Sequence, residues 1–422
     1  MTLGIWACRE DIAWDGDATV CATLRFGMPR LSLRLQPYST NIFTTITALA
    51  NQHKAVNLSQ GFPDFDGPEF IKHAAADAMR VHPNQYAPMA GVPVLRHAIA
   101  ERFSRDTGLM CNPETDVTVT CGCTEALPAS VMGTCNPGDE VILFEPFFDI
   151  HRSAIILAGC TPVPVTLHRA PGTGRITAPF AFKEAELRAA FTGKTKAIVV
   201  NTPHNPTGKV FSRAELSLIA ELCVKHDVIA ICDDVYERLT FDDALPHIHL
   251  AAFAGMADRT ITLSSLGKTF SMTGWKIGWA VARPELSACV RAAHQFLTFS
   301  IATPLQYAAA EALRREAEAV PPLVSRLKSN RDKLADALLD LGLTVYFPPS
   351  GYFIMADFTS LGFDDDFKFV HHLIERIGVA AIPCSAFYAN AHLGKPLVRF
   401  AFCKKPETID AGIERLRAGL KR

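Results

Sequence analysis

Ala197-Ile-Val-Val-Asn-Thr-Pro-His-Asn-Pro-Thr-Gly208 is an apolar run that stops abruptly at a polar turn. A short apolar run without polar alternation reads as a strand covered by helices on both faces. The same change of texture recurs downstream. Val228–Cys232 ends in Asp233-Asp-Val-Tyr236, and Thr260–Leu263 ends in Ser264-Ser-Leu-Gly-Lys268. Upstream, Val117–Thr120 runs into Cys121-Gly-Cys-Thr124 ahead of a helical stretch. Val141–Phe144, Thr161–Val165 and Ile277–Val281 complete the set of β-rich runs. Helical segments alternate with them, such as Ser212–His226, where Ser212 is the N-cap and Glu215 stands at capping-box spacing. The pattern predicts an α/β fold, with a large domain built on a mainly parallel seven-stranded sheet between helices.

Beyond residue 312 the texture changes to a helix at Leu323–Leu341, strands at Thr344–Phe347, Tyr352–Asp357, Val379–Pro383 and Leu397–Phe402, and helices near Asp365–Ile377 and Pro406–Leu420. That mixture reads as a smaller α+β domain. The expected division is a large domain over 70–312 and a small one over 313–422, with 28–69 packing against it. Residues 1–27 hold two arginines, four acids and no apolar core, so they read as a disordered extension rather than a targeting peptide. A chain of 422 residues exceeds the roughly 250–300 at which single cores divide.

Composition excludes several classes. With 49% hydrophobic residues and a formal net charge of −1, from 42 basic and 43 acidic side chains, the chain is neither disordered nor steered toward nucleic acid or acidic membranes. No apolar run is long enough to span a bilayer. The 12 cysteines are scattered, several inside apolar runs, and read as reduced thiols in a cytoplasmic protein. His247, His249, His371 and His372 have no carboxylate or cysteine at ligand spacing in sequence, so no metal is expected. The mixed-charge stretch Leu313–Glu318 reads as a solvated helix face.

In open α/β sheets, ligands bind outside the carboxyl ends of the strands. Four strand ends here carry polar signatures, and the Cys121–Thr124 turn aims helix N-terminal N–H groups at the place of an anion. These motifs resemble those of the fold-type-I, class I/II pyridoxal-phosphate aminotransferases. Asn205-Pro-Thr-Gly208 and Ser265-Leu-Gly-Lys268 with Lys276 carry the resemblance, which runs from Phe43 to Leu420. Asn57-Leu-Ser-Gln-Gly-Phe-Pro-Asp-Phe65, Asn84-Gln-Tyr86 and His294-Gln-Phe-Leu-Thr-Phe-Ser300 are similar to the branch of bacterial methionine aminotransferases and kynurenine–oxoglutarate transaminases.

The resemblance implies an aspartate aminotransferase-like fold, pyridoxal 5'-phosphate as cofactor, and a homodimer with shared active sites. Lys268 would be the Schiff-base lysine and proton shuttle. Asp233, in preference to its neighbour Asp234, would hold the pyridine nitrogen protonated. Tyr236 and Asn205 would hydrogen-bond the phenolic oxygen. The phosphate would be gripped by the N–H groups of Cys123 and Thr124, by Ser265, by Lys276 where many relatives carry arginine, and by Tyr86 of the neighbouring subunit. Phe148 would stack on the ring, with Phe147 the competing choice.

Arg399 sits alone in the apolar run Leu397–Phe402 and would take the substrate α-carboxylate, helped by Asn201 and the backbone at Gly61. A structural ion pair is the alternative reading of that arginine. Phe43, Phe62 and Phe299 fall where relatives line the side-chain pocket. They favour a neutral or aromatic donor such as methionine, phenylalanine, tyrosine or kynurenine, moved to a 2-oxo acid by a ping-pong cycle. Thr124 replaces a tyrosine of mammalian kynurenine transaminases, which favours the methionine branch. A cysteine-S-conjugate β-lyase on the same site is an alternative. A pyridoxal-phosphate-sensing regulator is a remote one, since it requires ~60 or more basic N-terminal residues with a helix-turn-helix.

Overall fold

A computed structural model describes residues 32–38 and 41–420. The expected extension over 1–27 lies outside the described residues. The chain divides into Met1–Ser39, where a 3-10 helix at Leu33–Tyr38 is described, and Thr40–Arg422, which holds all other elements.

All seven expected runs are strands: β1 (Val117–Cys121), β2 (Glu140–Glu145), β3 (Thr161–Thr166), β4 (Thr195–Asn201), β5 (Ile229–Asp233), β6 (Thr260–Ser265) and β7 (Ile277–Val281). They form one sheet in the order β1-β7-β6-β5-β4-β2-β3. β7 is antiparallel to both its neighbours, and the other pairings are parallel. Apart from the edge strand β3, these strands are buried almost throughout, as their unbroken apolar texture requires.

Five helices position the site. α1 (Ile42–Gln52) is capped by the Asn41 side chain, which accepts from the N–H groups of Phe43 and Thr44. α2 (Cys123–Thr134) follows β1 directly, and α3 (Asp149–Leu157) follows β2. α4 (Arg213–His226) begins with the predicted capping box of Ser212 and Glu215. α5 (Glu316–Asp340) carries the stripe Leu323, Leu327, Leu334 and Leu338, all buried. Each such leucine contributes roughly 1.5–3 kcal/mol relative to exposure.

α5 starts earlier than the expected Leu323, although Pro321 and Pro322 each remove an intrahelical donor. The helix runs through them, and its first residue, Glu316, is anchored by ion pairs to Arg102, Arg105 and Arg238. This corrects the reading of Leu313–Glu318 as a solvated face: Leu313 and Glu316 are both buried.

The second sheet contains β8 (Thr344–Tyr346), β9 (Phe353–Asp357), β10 (Ile382–Pro383) and β11 (Leu397–Ala401) in the order β10-β11-β9-β8. A two-residue strand at Arg175–Ile176, unforeseen in sequence, extends it by pairing with β8. Val56–Asn57 pairs in parallel with Val379–Ala380, which ties the segment after α1 to this part of the chain. No helix among the described residues is long and apolar enough to cross a membrane.

Candidate active site

The carboxyl ends of β1, β4, β5 and β6 open onto a cavity of about 840 Å³. It is lined by every residue singled out in the sequence for cofactor or substrate, except Tyr86 and Phe299. β9 and β11 close its far side with Phe353 and Arg399, and α1 walls its mouth with Asn41, Thr44, Thr47 and Asn51.

At the floor, Lys268 follows β6 on a single helical turn. Its Nζ donates to the carbonyl of Gly61 at 3.0 Å and lies over the rings of Tyr352 and Tyr236, at 5.4 and 5.7 Å. Burial holds the amine's pKa down to about 8. The Tyr352 hydroxyl donates to the Lys268 carbonyl at 2.9 Å and fixes the lysine's backbone. Gly61 can only be glycine here, since a Cβ would fall 2.3 Å from the Phe353 ring.

Asp233 ends β5, buried, with Oδ2 2.8 Å from His151 Nε2 of α3. Asn201 ends β4. Its side chain donates to the Asp233 carbonyl at 2.7 Å and accepts from the Asn205 N–H at 2.7 Å. It therefore locks two strand ends together, with one donor and one acceptor already engaged. Tyr236 is buried, which raises its phenol well above the usual range. Phe148 lines the cavity whereas Phe147 is buried in the core behind it, which separates the two candidates.

Arg399 is 1% exposed and forms no ion pair among the described residues. Its Nη2 donates to the Ser59 carbonyl at 3.1 Å, Nη1 reaches Asn205 Oδ1 at 3.4 Å, and Nε has no partner. Phe353, Phe387 and Phe43 surround it, with ring centroids 4.0, 5.0 and 5.4 Å away. Burial lowers its pKa to about 10. A guanidinium desolvated without a counter-charge is poised to take a carboxylate.

The opposite corner is cationic. Lys276 Nζ donates to Thr124 Oγ1 at 2.7 Å. α2 begins at Gly122 without a side-chain cap, so its first N–H groups have no side-chain acceptor. A Cβ on Gly278 of β7 would lie 2.5–2.8 Å from the backbone of Gly122 and Cys123, so glycine is what lets strand and helix start approach.

Residues 53–416 match the family Aminotransferase class I and II. The chain belongs to the class I and II aminotransferases. The structure of N-succinyldiaminopimelate aminotransferase from Mycobacterium tuberculosis is similar at 46% identity and a TM-score of 0.88, covering 93% of this chain and 100% of that one. Methionine aminotransferase of Escherichia coli is 39% identical over 91% of this chain and 97% of its own. Mouse kynurenine–oxoglutarate transaminase 3 is 38% identical over 91% and 89%.

Aminotransferases of this family use pyridoxal phosphate. The cavity of this aminotransferase fits it on three counts. An uncapped helix start with Lys276 suits a phosphate, Asp233 offers a buried carboxylate for a pyridinium nitrogen, and the Lys268 amine lies among them.

Two predicted residues are not in this cavity. Tyr86 is 84% exposed and Phe299 46% exposed, and their rings meet edge to face at 5.5 Å on the surface of the same chain. Phe299 therefore does not line the pocket of its own chain. The sequence missed His151 and Phe353, because an isolated histidine and one phenylalanine among 27 carry no local signal. It also missed the surroundings of His247 and His249. Folding brings the carboxylates of Asp234 and Glu237 against them, correcting the expectation that no ligand partner stands nearby.

Proposed function

We propose that this aminotransferase takes its amino group from a neutral or aromatic amino acid, of the methionine, phenylalanine, tyrosine or kynurenine type, and passes it to a 2-oxo acid by a ping-pong cycle. One observation carries this reading. Away from the phosphate corner and Lys268, Arg399 is the only cation lining the cavity among the described residues, and apart from Asp233 the other lining side chains carry no charge. The nearby Lys404 donates to the Phe62 carbonyl at 2.7 Å. A donor's α-carboxylate engages Arg399, and a second, distal carboxylate would be desolvated without a partner. An apolar side chain against Phe43 and Phe62 instead gains roughly 25 cal/mol per Å² buried.

When bound, pyridoxal phosphate supplies a carbonyl carbon for the amino group and a ring that withdraws electrons from the donor's Cα. The chain does the rest. Cys123, Thr124, Ser265 and Lys276 would hold the phosphate, Phe148 would cover one ring face, and Asn205 and Tyr236 would hydrogen-bond the phenolic oxygen. Asp233, oriented by His151, would hold its carboxylate beside the pyridine nitrogen. Lys268, with its lowered proton affinity, anchors the cofactor and then moves the proton at the donor's Cα. Arg399, Asn201 and the Gly61 backbone orient the donor.

A second reading has its own observation. Asn41, Thr44, Thr47 and Asn51 of the α1 region line the cavity with amide and hydroxyl groups, which suit the amide of an N-acylated diamino acid. The Mycobacterium tuberculosis relative, named for N-succinyldiaminopimelate, points the same way. Initial rates with a donor panel against 2-oxoglutarate and other oxo acids decide. Methionine or an aromatic donor leading in kcat/KM supports the first reading, and an N-succinyl diamino acid leading supports the second. Aspartate leading would sink both.

The enzyme works as a homodimer in which Tyr86 reaches the partner's phosphate corner. Its parts act as a large domain over 70–312 and a small domain over 28–69 and 313–422. The ten described cysteines are free, which suits the cytoplasm.

A further inference from the structure

Behind the cofactor cavity, the turn that follows β5 meets the loop 246–249 in a buried cluster. Asp234 Oδ2 lies 2.9 Å from His249 Nδ1 and 3.2 Å from His247 Nε2, and those two nitrogens are 3.3 Å apart. Three ligand atoms thus form a nearly equilateral triangle. An ion held tetrahedrally by nitrogen and oxygen at roughly 2.0–2.1 Å needs ligand atoms roughly 3.3–3.4 Å apart. The triangle is one face of that tetrahedron, slightly contracted.

Hydrogen bonds alone leave this cluster poorly satisfied. If both imidazoles donate to Asp234 Oδ2, two N–H groups face each other at 3.3 Å while Asp234 Oδ1 remains buried without a partner. Nor does an arginine neutralise Asp234. Arg102 bonds Glu237 Oε1 and Glu316, and Arg238 bonds Glu316 and Asp106. Among the described residues, Asp234, 1% exposed, is a buried carboxylate faced only by two imidazoles.

The outer contact of His249 fits as well, while His247 Nδ1 is buried without a hydrogen-bond partner among the described residues. His249 presents Nδ1 to the triangle and Nε2 to Glu237 Oε2 at 3.5 Å, a carboxylate oxygen that is buried and otherwise unpartnered. With Nδ1 as ligand, Nε2 carries the proton and points at that carboxylate, the arrangement that orients metal-bound histidines. One ligand atom from each of Asp234, Glu237, His247 and His249 lies within 4.8 Å of the others.

We propose that Asp234, His247 and His249 bind a divalent transition-metal ion of the Zn²⁺ type, with Glu237 as the outer carboxylate on His249. Two imidazoles and a carboxylate suit such an ion better than Mg²⁺ or Ca²⁺, which take oxygen ligands. Because Asp234 adjoins Asp233, the ion would brace the turn that carries the cofactor's acid.

The holoenzyme is dialysed against chelator, titrated with Zn²⁺ alone and passed through a desalting column before elemental analysis. One equivalent per chain is expected in the wild type, with at least a hundredfold loss of affinity in His247→Ala and His249→Ala. Glu237→Gln should weaken binding by roughly 10–100-fold. A crystal soaked in Zn²⁺ should carry an anomalous peak between Asp234, His247 and His249. No retained zinc in the wild type, or full retention in a His247→Ala/His249→Ala double variant, overturns the proposal. If the histidine variants do not fold, the wild type still decides: Co²⁺ must give the intense visible bands of a four-coordinate site, and their absence refutes it.

Discussion

Lys268 and Arg399 are both cations held in low-polarity surroundings, with opposite uses. Burial lowers the lysine to about 8 from an ordinary 10.5, so its neutral, nucleophilic form dominates at a lower pH than an exposed lysine allows. Uptake of pyridoxal phosphate by the cofactor-free enzyme should therefore quicken as pH rises and level off above about 8. Stopped-flow absorbance checks this, and a rate still climbing toward 10.5 contradicts it. Lys268→Ala should abolish turnover and the pH-sensitive absorbance of the holoenzyme; a variant that keeps both removes the lysine from the mechanism. Arg399, without an ion-pair partner among the described residues, would under the proposed function hold any donor by the carboxylate common to all. Arg399→Ala should raise KM by roughly 10–100-fold for every amino acid, given about 1.5–3 kcal/mol for a charge-assisted hydrogen bond. A loss confined to one donor would show that it reads side chains. Arg399 was legible because it breaks an apolar run, and Lys268 because it closes the motif Ser265-Leu-Gly-Lys268. His151, which orients Asp233 from 82 positions away, was not, since no spacing rule joins α3 to the end of β5.

The elements matter at their ends. β1 hands over to α2 through Gly122, and β7 runs antiparallel beside β1 so that Gly278 touches that junction. The junction must be backbone against backbone for the helix N-terminus to face an anion. Gly278→Ala forces a Cβ into 2.5–2.8 Å contacts with Gly122 and Cys123 and must push the two apart. Misfit of this kind costs roughly 1–3 kcal/mol. Equilibrium dialysis should find pyridoxal phosphate held at least tenfold more weakly, with Lys276→Ala producing a comparable loss from the same corner. Unchanged cofactor affinity in both would move the phosphate site elsewhere. The strands themselves were the most legible part of the chain, because burial on both faces leaves an unbroken apolar signature. The direction of β7 was not, since parallel and antiparallel strands in a covered sheet share that signature. Arg175–Ile176 was missed for a different reason: two residues are too short to show any periodicity, and only pairing with β8 defines them.

At the scale of the molecule, Tyr86 and Phe299 decide how many chains make a working site. Both are exposed, they touch each other, and neither lines its own chain's cavity, although the family resemblance gives both to the site. The proposed two-fold dimer would account for this, because a patch unused in one subunit can complete the other's site by symmetry. The consequence can be tested without a structure of the dimer. In that dimer Tyr86→Ala would remove a phosphate contact and should lower activity severalfold at limiting cofactor, while Lys268→Ala should abolish it. Unfold and refold the two variants together, and a mixed dimer contains one site with an intact lysine and an intact Tyr86 from the partner. A statistical mixture then recovers roughly a quarter of wild-type sites. If Tyr86 instead served its own chain, every site in the mixture would carry one lesion or the other. Activity at limiting pyridoxal phosphate would stay at the average of the two variants refolded separately, and the shared-site arrangement would be wrong.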